Sequence, residues 1–175
     1  MNSPGKSKHE LTILGIDPGS IFCGYGVISG DRKDGRYIAS GRISAPASKP
    51  LHYRLRIVYE SLTDIIRTYA PTDIVVEDIF FAKSAKAALQ LGHARGMVLL
   101  AAASEGIDLH EFSALQVKKA VVGYGRAEKS QVQEMVKMIL HIKGELYPDS
   151  ADALALALCY LNTIKFNNAV LSAKR

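Results

Sequence analysis

Short apolar runs alternate with longer periodic segments along the chain. The run LTILGID at residues 11–17 is too short for a helix and is followed by Pro18 and Gly19, so it predicts a buried strand. The segments FCGYGVISG and RYIASGRIS come next, with the turn residues GDRKDG between them. Together they predict an antiparallel meander at the start of the fold.

Helices and strands alternate after this meander. Residues 51–69 show apolar positions at helical spacing, and residues 84–104 form a second long helical segment. The runs DIVVED and GIDLHEF follow these helices and predict strands, and the chain beyond Ser113 is helical in pieces. The order βββαβαβ followed by helices predicts an α/β fold, with a mixed sheet and helices on both of its faces.

Length and composition predict one globular domain. The chain has 175 residues, of which 48% are hydrophobic and 22% charged. We expect a disordered lead-in at 1–10, a single domain at 11–166 and a flexible C-terminal tail at 167–175. No apolar run approaches the roughly 20 residues of a membrane span, and no secretory signal opens the chain. Cys23 and Cys159 lack metal-type spacing, so a reduced, cytoplasmic setting is expected.

The positive charge is concentrated in one segment. The net charge is +5, which favours an anionic partner without identifying it. Residues 113–143 carry six basic side chains against Glu128 and Glu134. The basic residues are Lys118, Lys119, Arg126, Lys129, Lys137 and Lys143. This segment is either a phosphate-facing surface or a solvated helical face, and charge alone leaves both open.

Four acidic residues stand at edges of the predicted core. Asp17 and Glu77 end two buried strands, and ligands gather beyond the carboxyl ends of parallel strands. Asp149 and Asp152 share one face at the start of an almost wholly apolar helix. Three of them have an ordinary alternative: a turn for Asp17, an exposed strand end for Glu77 and a helix cap for Asp149. Asp152, inside the helix, is harder to explain in this way.

Taken together, the four acids predict a metal site. Clustered carboxylates raise one another's pKa, and no fixed basic partner is evident beside them, so the group is unfavourable without a cation. Mg²⁺ prefers oxygen ligands, and two such ions about 4 Å apart activate water in phosphodiester hydrolysis. Bringing the four acids together requires a fold that these patterns alone do not specify.

Two further patterns concern binding. The sequence FFAK at 80–83 follows Glu77, and an exposed Phe80 with Lys83 would stack on an unpaired base and hold its phosphate. The alternative is that a Phe of this pair packs in the core beneath the helix, and we favour one Phe inside and one exposed. In the helix at 84–104 there is a stripe of small residues, for which packing on its own sheet is favoured over a dimer contact. The stripe consists of Ala85, Ala88, Gly92 and Gly96.

Four stretches of the chain resemble the RuvC family of bacterial Holliday junction resolvases. They are LGIDPGS, VVEDIFFAKSAKAALQLGHARG, QVKKAVVGYGRAEKSQV and DSADALALALCY. They occur in the family's order and at its spacings, from Leu11 to about Ile164. The resemblance implies a ribonuclease H-like fold, in which the first strand lies parallel to the strand after the first long helix. That neighbourhood would bring Asp17 and Glu77 together.

The resemblance also implies roles for individual residues. The family's metal-binding, catalytic acids match Asp17, Glu77, Asp149 and Asp152. Its aromatic at the junction centre matches Phe80, and its functional lysines match Lys118 and Lys129, to which we add Lys83 and Lys119 as DNA contacts. The implied activity is a Mg²⁺-dependent endonuclease, with Mn²⁺ as the alternative metal and two ions per site. The implied partners are a four-way DNA junction, a second copy of the chain, and the branch-migration proteins RuvA and RuvB.

Three other functions are compatible with parts of the pattern. A ribonuclease H-like nuclease acting on an RNA–DNA hybrid keeps the fold and changes the substrate. A non-catalytic junction-binding or scaffolding protein would need no clustered acids. A nucleotide-binding ATPase or kinase shares the strand-Asp-Gly start, but it generally needs two such domains, for which 175 residues leave no room.

Overall fold

A computed structural model gives the fold and describes residues 11–30, 35–78 and 85–173. Within these ranges, five strands and five helices follow one another as the sequence predicts. They are β1 (Leu11–Asp17), β2 (Phe22–Gly30), β3 (Gly35–Ser44), α1 (Leu51–Tyr69), β4 (Asp73–Glu77), α2 (Ala85–Ser104), β5 (Asp108–Phe112), α3 (Ala114–Val122), α4 (Lys129–Ile139) and α5 (Pro148–Ala173). The expected lead-in at 1–10 lies outside the described residues.

The strands form one sheet with β1 at its centre, in the order β3-β2-β1-β4-β5. The β1–β2 and β2–β3 pairs are antiparallel, as short connections allow. The β1–β4 and β4–β5 pairs are parallel, because α1 and α2 carry the chain back across the sheet. The mixed sheet is confirmed, and the parallel β1–β4 pair is the neighbourhood that the ribonuclease H-like resemblance implies.

Helices cover both faces of the sheet, which confirms the layered architecture. Side chains of β1 alternate between two cores, as strand geometry requires. Ile13 belongs to the core formed with α3, α4 and α5. Leu14 and Ile16 belong to the core formed with α1 and α2.

Glycines in β1 and β2 let α5 pack directly on the strand backbone. A Cβ atom at Gly15 would lie 1.9 Å from the carbonyl oxygen of Ala153, and one at Gly24 would lie 2.1 Å from that of Asp149. Neither distance is possible for a real side chain, so both positions require glycine. The close approach fixes the first turns of α5 over the centre of the sheet.

In α2 the buried residues differ from those expected. All four residues of the small stripe are exposed, and the space beside Gly92 and Gly96 is open. The residues that α2 buries are Ala94, Met97, Val98, Ala101 and Ala102. Packing of the stripe on its own sheet is therefore wrong. Small residues occupy two faces of this helix, and their size alone does not choose between the faces.

The last helix is longer than expected. It continues to Ala173, so residues 167–173 are helical where a flexible tail was predicted. The sequence after Pro148 contains no glycine or proline that would end the helix earlier. None of the helices in the described ranges has both the length and the apolar character to cross a bilayer.

Candidate active site

Two acids end neighbouring parallel strands at the same edge of the sheet. Ile16 pairs with Val76 in the β1–β4 ladder, so the residues that follow, Asp17 and Glu77, lie side by side. Neighbouring strands are about 4.8 Å apart. Both side chains point to the face that α5 covers, because alternation places them on the same side as Gly15 and Val75.

The first turns of α5 bring two more acids to this edge. Asp17 pairs with Gly24 across the β1–β2 ladder, and the backbone of Asp149 lies over Gly24. Asp152 follows three residues later on the same face of the helix. Pro148 is the first residue of α5, so Asp149 lies inside the first turn and not at the preceding capping position. The capping alternative for Asp149 is therefore wrong.

A cavity of about 250 Å³ lies between the strand ends and helices α3, α4 and α5. Its lining includes three of the four predicted acids and two of the predicted lysines. These residues are Asp17, Glu77, Asp152, Lys118 and Lys129. Asp149 and Lys119 are not among the described residues that line the cavity. Lys119 is exposed on α3.

Three of the four carboxylates line this cavity, but they do not meet at a single point. Within the described ranges, no three acidic, histidine or cysteine side chains lie close enough together to hold one metal ion. The four acids therefore remain a predicted ligand set, gathered at one edge of the sheet by the β1–β4 register and by α5.

Burial and repulsion raise the pKa values of the three acids that line the cavity. The pKa of Asp17 rises from 3.8 to about 7, chiefly through burial and then through the charges of Asp152 and Asp149. Burial followed by the charge of Asp152 raises the pKa of Glu77. Burial also raises the pKa of Asp152, and Asp149 adds to that rise. Such coupling is the expected behaviour of convergent carboxylates.

Two lysines from distant helices face the acids. The Nζ of Lys129 lies 2.5 Å from Oδ2 of Asp152. Burial raises the pKa of Glu77, and the charges of Lys129 and Lys118 oppose that rise. The expectation that no fixed basic partner stands beside the acids is therefore wrong. Contact between such distant positions follows from the packing of α3 and α4 against α5, which the sequence does not display.

The other predicted DNA contacts have different outcomes. Phe80 and Lys83 lie outside the described residues. Lys129 is the first residue of α4, and Lys118 lies within α3. Ser113 caps α3, since its side chain accepts a hydrogen bond from the backbone N–H of Gln116. The cap fixes the start of the helix that carries Lys118 to the cavity.

The structure adds a cation that sequence reasoning missed. Nη1 of Arg42, on β3, lies 3.7 Å from Oδ2 of Asp149. The guanidinium lies over the ring of Phe22, 4.2 Å from its centroid, and over that of Tyr147, 4.3 Å from its centroid. Only the strand register places Arg42 opposite Gly24 and thus beside the acids. The sequence alone does not give the register in which the strands of a meander pair.

Convergent carboxylates beside lysines suit one kind of chemistry. Carboxylate oxygens bind hard divalent cations, and ammonium groups bind phosphate. A cavity that offers both can accept a phosphodiester and a metal ion together. This is the combination that metal-assisted phosphodiester hydrolysis requires.

Comparison with known proteins leads to the same chemistry. The family model described as Crossover junction endodeoxyribonuclease RuvC matches residues 13–160. A crossover junction endodeoxyribonuclease RuvC from Saccharophagus degradans is 46% identical over 151 residues, which cover 86% of this chain and 87% of that protein. One from Magnetococcus marinus is 41% identical over 167 residues, covering 95% and 93%.

A solved structure has the same fold. The RuvC of T. thermophilus in complex with a Holliday junction substrate superposes with a TM-score of 0.83 at 29% identity, covering 90% of this chain and 96% of that one. Family match, sequence identity and fold agree over nearly the whole domain. The chain therefore belongs to the RuvC family of crossover junction endodeoxyribonucleases.

Proposed function

We infer that this protein resolves four-way DNA junctions by hydrolysing phosphodiester bonds with paired, symmetric nicks. Membership of the RuvC family gives the class of reaction. One structural observation supports its location in this chain. Asp17, Glu77 and Asp152 line a single cavity, and burial raises the pKa of each of them. Like charges held together at a cavity are unfavourable unless they serve a cation.

The donor set fits a divalent metal ion. Nucleases of this family depend on a divalent metal, and all four candidate ligands offer carboxylate oxygens, which Mg²⁺ prefers. We propose that Asp17, Glu77, Asp149 and Asp152 hold Mg²⁺, with Mn²⁺ as the alternative and two ions per site. When bound, such ions activate water for attack on phosphorus and stabilise charge on the leaving oxygen.

The chain's own cations act on the phosphate. Lys129 is paired with Asp152 in the protein alone, and Lys118 lines the cavity beside it. We propose that both ammonium groups neutralise the phosphate at the cleavage site, because an ammonium is a compact charge that several oxygens can share. Lys119, exposed on α3, contacts the DNA farther from the cleavage site. From the family resemblance, Phe80 stacks at the opened centre of the junction and Lys83 holds a phosphate nearby.

Two copies of the chain would cut the two equivalent strands of a junction. The exposed face of α2 supports a homodimer. Gly92 and Gly96 have open space beside them, and Leu89 and Leu100 of the same helix are 62% and 58% exposed. Glycines that admit a close backbone, together with exposed leucines, are typical of a helix that packs against a partner. We propose this face of α2 as the dimer interface.

Two further assignments rest on the family resemblance. We propose that RuvA and RuvB, the branch-migration proteins, deliver the junction to this enzyme. We also propose that it works in the cytoplasm. Both of its cysteines, Cys23 and Cys159, are free and buried, which agrees with a reducing compartment.

The decisive experiment follows an end-labelled synthetic four-way junction with and without Mg²⁺. We expect nicks at symmetric positions in opposing strands with the metal and none without it. Asp17→Asn should bind the junction and fail to cut it, because it removes a carboxylate ligand without adding charge. Asp64→Asn, which neutralises an exposed acid on α1, is the matched control and should cut normally.

Other outcomes would indicate the alternative functions. Preferential cutting of an RNA–DNA hybrid in a direct competition would assign the chain to ribonuclease H-like activity on another substrate. Tight junction binding without nicks under any divalent metal would indicate a scaffolding protein. Normal cutting by Asp17→Asn at saturating Mg²⁺ would remove the metal role of Asp17.

A further inference from the structure

Arg42 belongs to a row of residues that crosses the sheet at its active edge. Arg42 on β3 pairs with Gly24 on β2, which pairs in turn with Asp17 on β1. Two strand spacings place the Arg42 backbone about 10 Å from that of Asp17. Lys118 and Lys129 line the cavity from α3 and α4, on the other side of the acids. Cations from β3 and from helices α3 and α4 therefore flank the carboxylates.

Two aromatic side chains hold this arginine in place. Its guanidinium carbon lies 4.2 Å from the ring centroid of Phe22 and 4.3 Å from that of Tyr147. Both distances are typical of cation–π contacts. The ion pair with Asp149 turns the guanidinium toward the acids. The side chain is thus held by its faces, which leaves its N–H edge for other partners.

The donors on that edge are largely unused. The ion pair with Asp149 spans 3.7 Å, which is longer than a hydrogen bond. Within the part of the chain that the structure describes, the guanidinium of Arg42 donates no hydrogen bond, and the side chain is 28% exposed. A guanidinium binds phosphate through two parallel N–H bonds, so a fixed and partly exposed one beside a cleavage site suits a DNA strand.

We propose that Arg42 contacts a backbone phosphate of the bound DNA next to the cleavage site. Phe22 and Tyr147 hold the guanidinium, and these two residues, 47% and 55% exposed, would face the adjoining nucleotide. This contact would extend the path of the DNA from the lysines of α3 and α4, across the acids, to β3. The inference rests on the proposed function, because it takes the substrate of the acids to be DNA.

The test measures the dissociation constant of a synthetic four-way junction over a series of KCl concentrations without divalent metal. Each phosphate contact contributes about 0.9 to the slope of log affinity against log salt. We expect Arg42→Gln to lower this slope by about 0.9 and to weaken binding several-fold at low salt.

The matched control removes the same charge from a similar setting on the opposite face of the sheet. Arg56 on α1 pairs with Glu60 at 3.6 Å and lies 5.7 Å from the ring centroid of Tyr53. Arg56→Gln should leave the salt slope unchanged. A fall in slope equal to that of Arg42→Gln would mean that net charge alone is responsible, and the proposed contact would be wrong.

The aromatic support has its own pair of variants. Tyr147→Leu removes the ring and should weaken junction binding, whereas Tyr147→Phe keeps the ring and should bind like the unmodified protein. Thermal midpoints of all variants check that the fold is intact. Equal binding by Tyr147→Leu and Tyr147→Phe would contradict the proposed support.

Two results separate this inference from the proposed function. If Arg42→Gln binds the junction with an unchanged slope but cuts it more slowly, Arg42 acts only on Asp149, and the phosphate contact is overturned. If the unmodified protein binds the junction no better than a duplex of equal length, the proposed function itself fails.

Discussion

Strand β4 begins and ends with an acid, and both acids point toward α5. One of them has hydrogen-bonding partners, and the other lies beside further acids. Asp73, at the start, accepts a hydrogen bond of 2.7 Å from the Tyr160 hydroxyl and lies 3.0 Å from Nε2 of His110. The rings of Tyr160 and His110 stack on each other. Glu77, at the end, faces Asp152 across a cavity, and burial together with that charge raises its pKa.

The comparison separates an acid that stabilises the fold from one that we propose as a metal ligand. The carboxylate of Asp73 has hydrogen-bonding partners on α5 and β5, so it ties the helix to the sheet. Glu77 is placed near other acids, which lowers the stability of the fold and creates a place for a cation. The same strand thus stabilises the fold at one end and carries a proposed metal ligand at the other.

Replacing Glu77, the proposed metal ligand, should have the largest effect on activity. We expect Glu77→Gln to reduce junction cleavage at least about 100-fold, because even changes around metal ligands cost about 10- to 100-fold. Its thermal midpoint without metal should stay the same or rise, since one of the repelling charges is gone. Cleavage rates and thermal midpoints of the same preparations measure both effects.

The corresponding change at the other end of β4 should act in the opposite way. Asp73→Asn should lower the thermal midpoint and leave the cleavage rate normal at temperatures where the variant is folded. If Asp73→Asn cut as poorly as Glu77→Gln, the two ends of the strand would not differ in role.

The pH dependence of stability should show the strain among the acids. The pKa of Asp17 rises from 3.8 to about 7 in the folded protein, mainly through burial. Between these values the folded state binds a proton that the unfolded state has lost, so this group's contribution to stability falls as the pH rises. Without metal, the thermal midpoint of Asp17→Asn, taken relative to that of the unmodified protein, should therefore rise between pH 4 and pH 7. A difference that stays constant or shrinks over this window would contradict the pKa shift.

The smallest effect concerns the hydroxyl that holds Asp73. Tyr160→Phe keeps the ring but removes the group that bonds both Asp73 and His110. We expect a loss of about 0.5–1.5 kcal/mol in the free energy of unfolding, with normal cleavage. Tyr37→Phe, which removes an exposed hydroxyl near Ser40, is the control and should change stability little. If the two substitutions changed the free energy of unfolding in denaturant equally, the proposed link between α5 and the sheet through Tyr160 and Asp73 would be contradicted.

The sequence predicted the elements better than their contacts. The run LTILGID ends where β1 ends, and the helical pattern at Leu51–Tyr69 matches α1, because both depend on local hydrophobic period. The approach of Asp17 to Glu77 depended on a family resemblance, since the order of strands in a sheet is not a local property. Predictions that depended on local sequence patterns were confirmed more often than predictions about contacts between residues distant in sequence.

What sequence reasoning missed depends on long-range packing. Arg42 meets Asp149 through the register of a meander and the docking of the last helix. Lys129 meets Asp152 because α4 packs on α5. The stripe on α2 was assigned to the wrong face because small residues fit either a sheet or a partner helix. In each case the missing information was the position of one element relative to another.

The close packing of α5 on Gly15 and Gly24 has a consequence for the folding of the enzyme. The first three strands come early in the chain, whereas the helix with Asp149 and Asp152 is the last described element. Contacts between such distant segments form late, because closing a long loop is entropically costly. An intermediate with a complete sheet but an undocked α5 has only the acids of β1 and β4. If the four acids form the proposed metal site, such an intermediate would lack two of the ligands, and nuclease activity would begin only after α5 has docked.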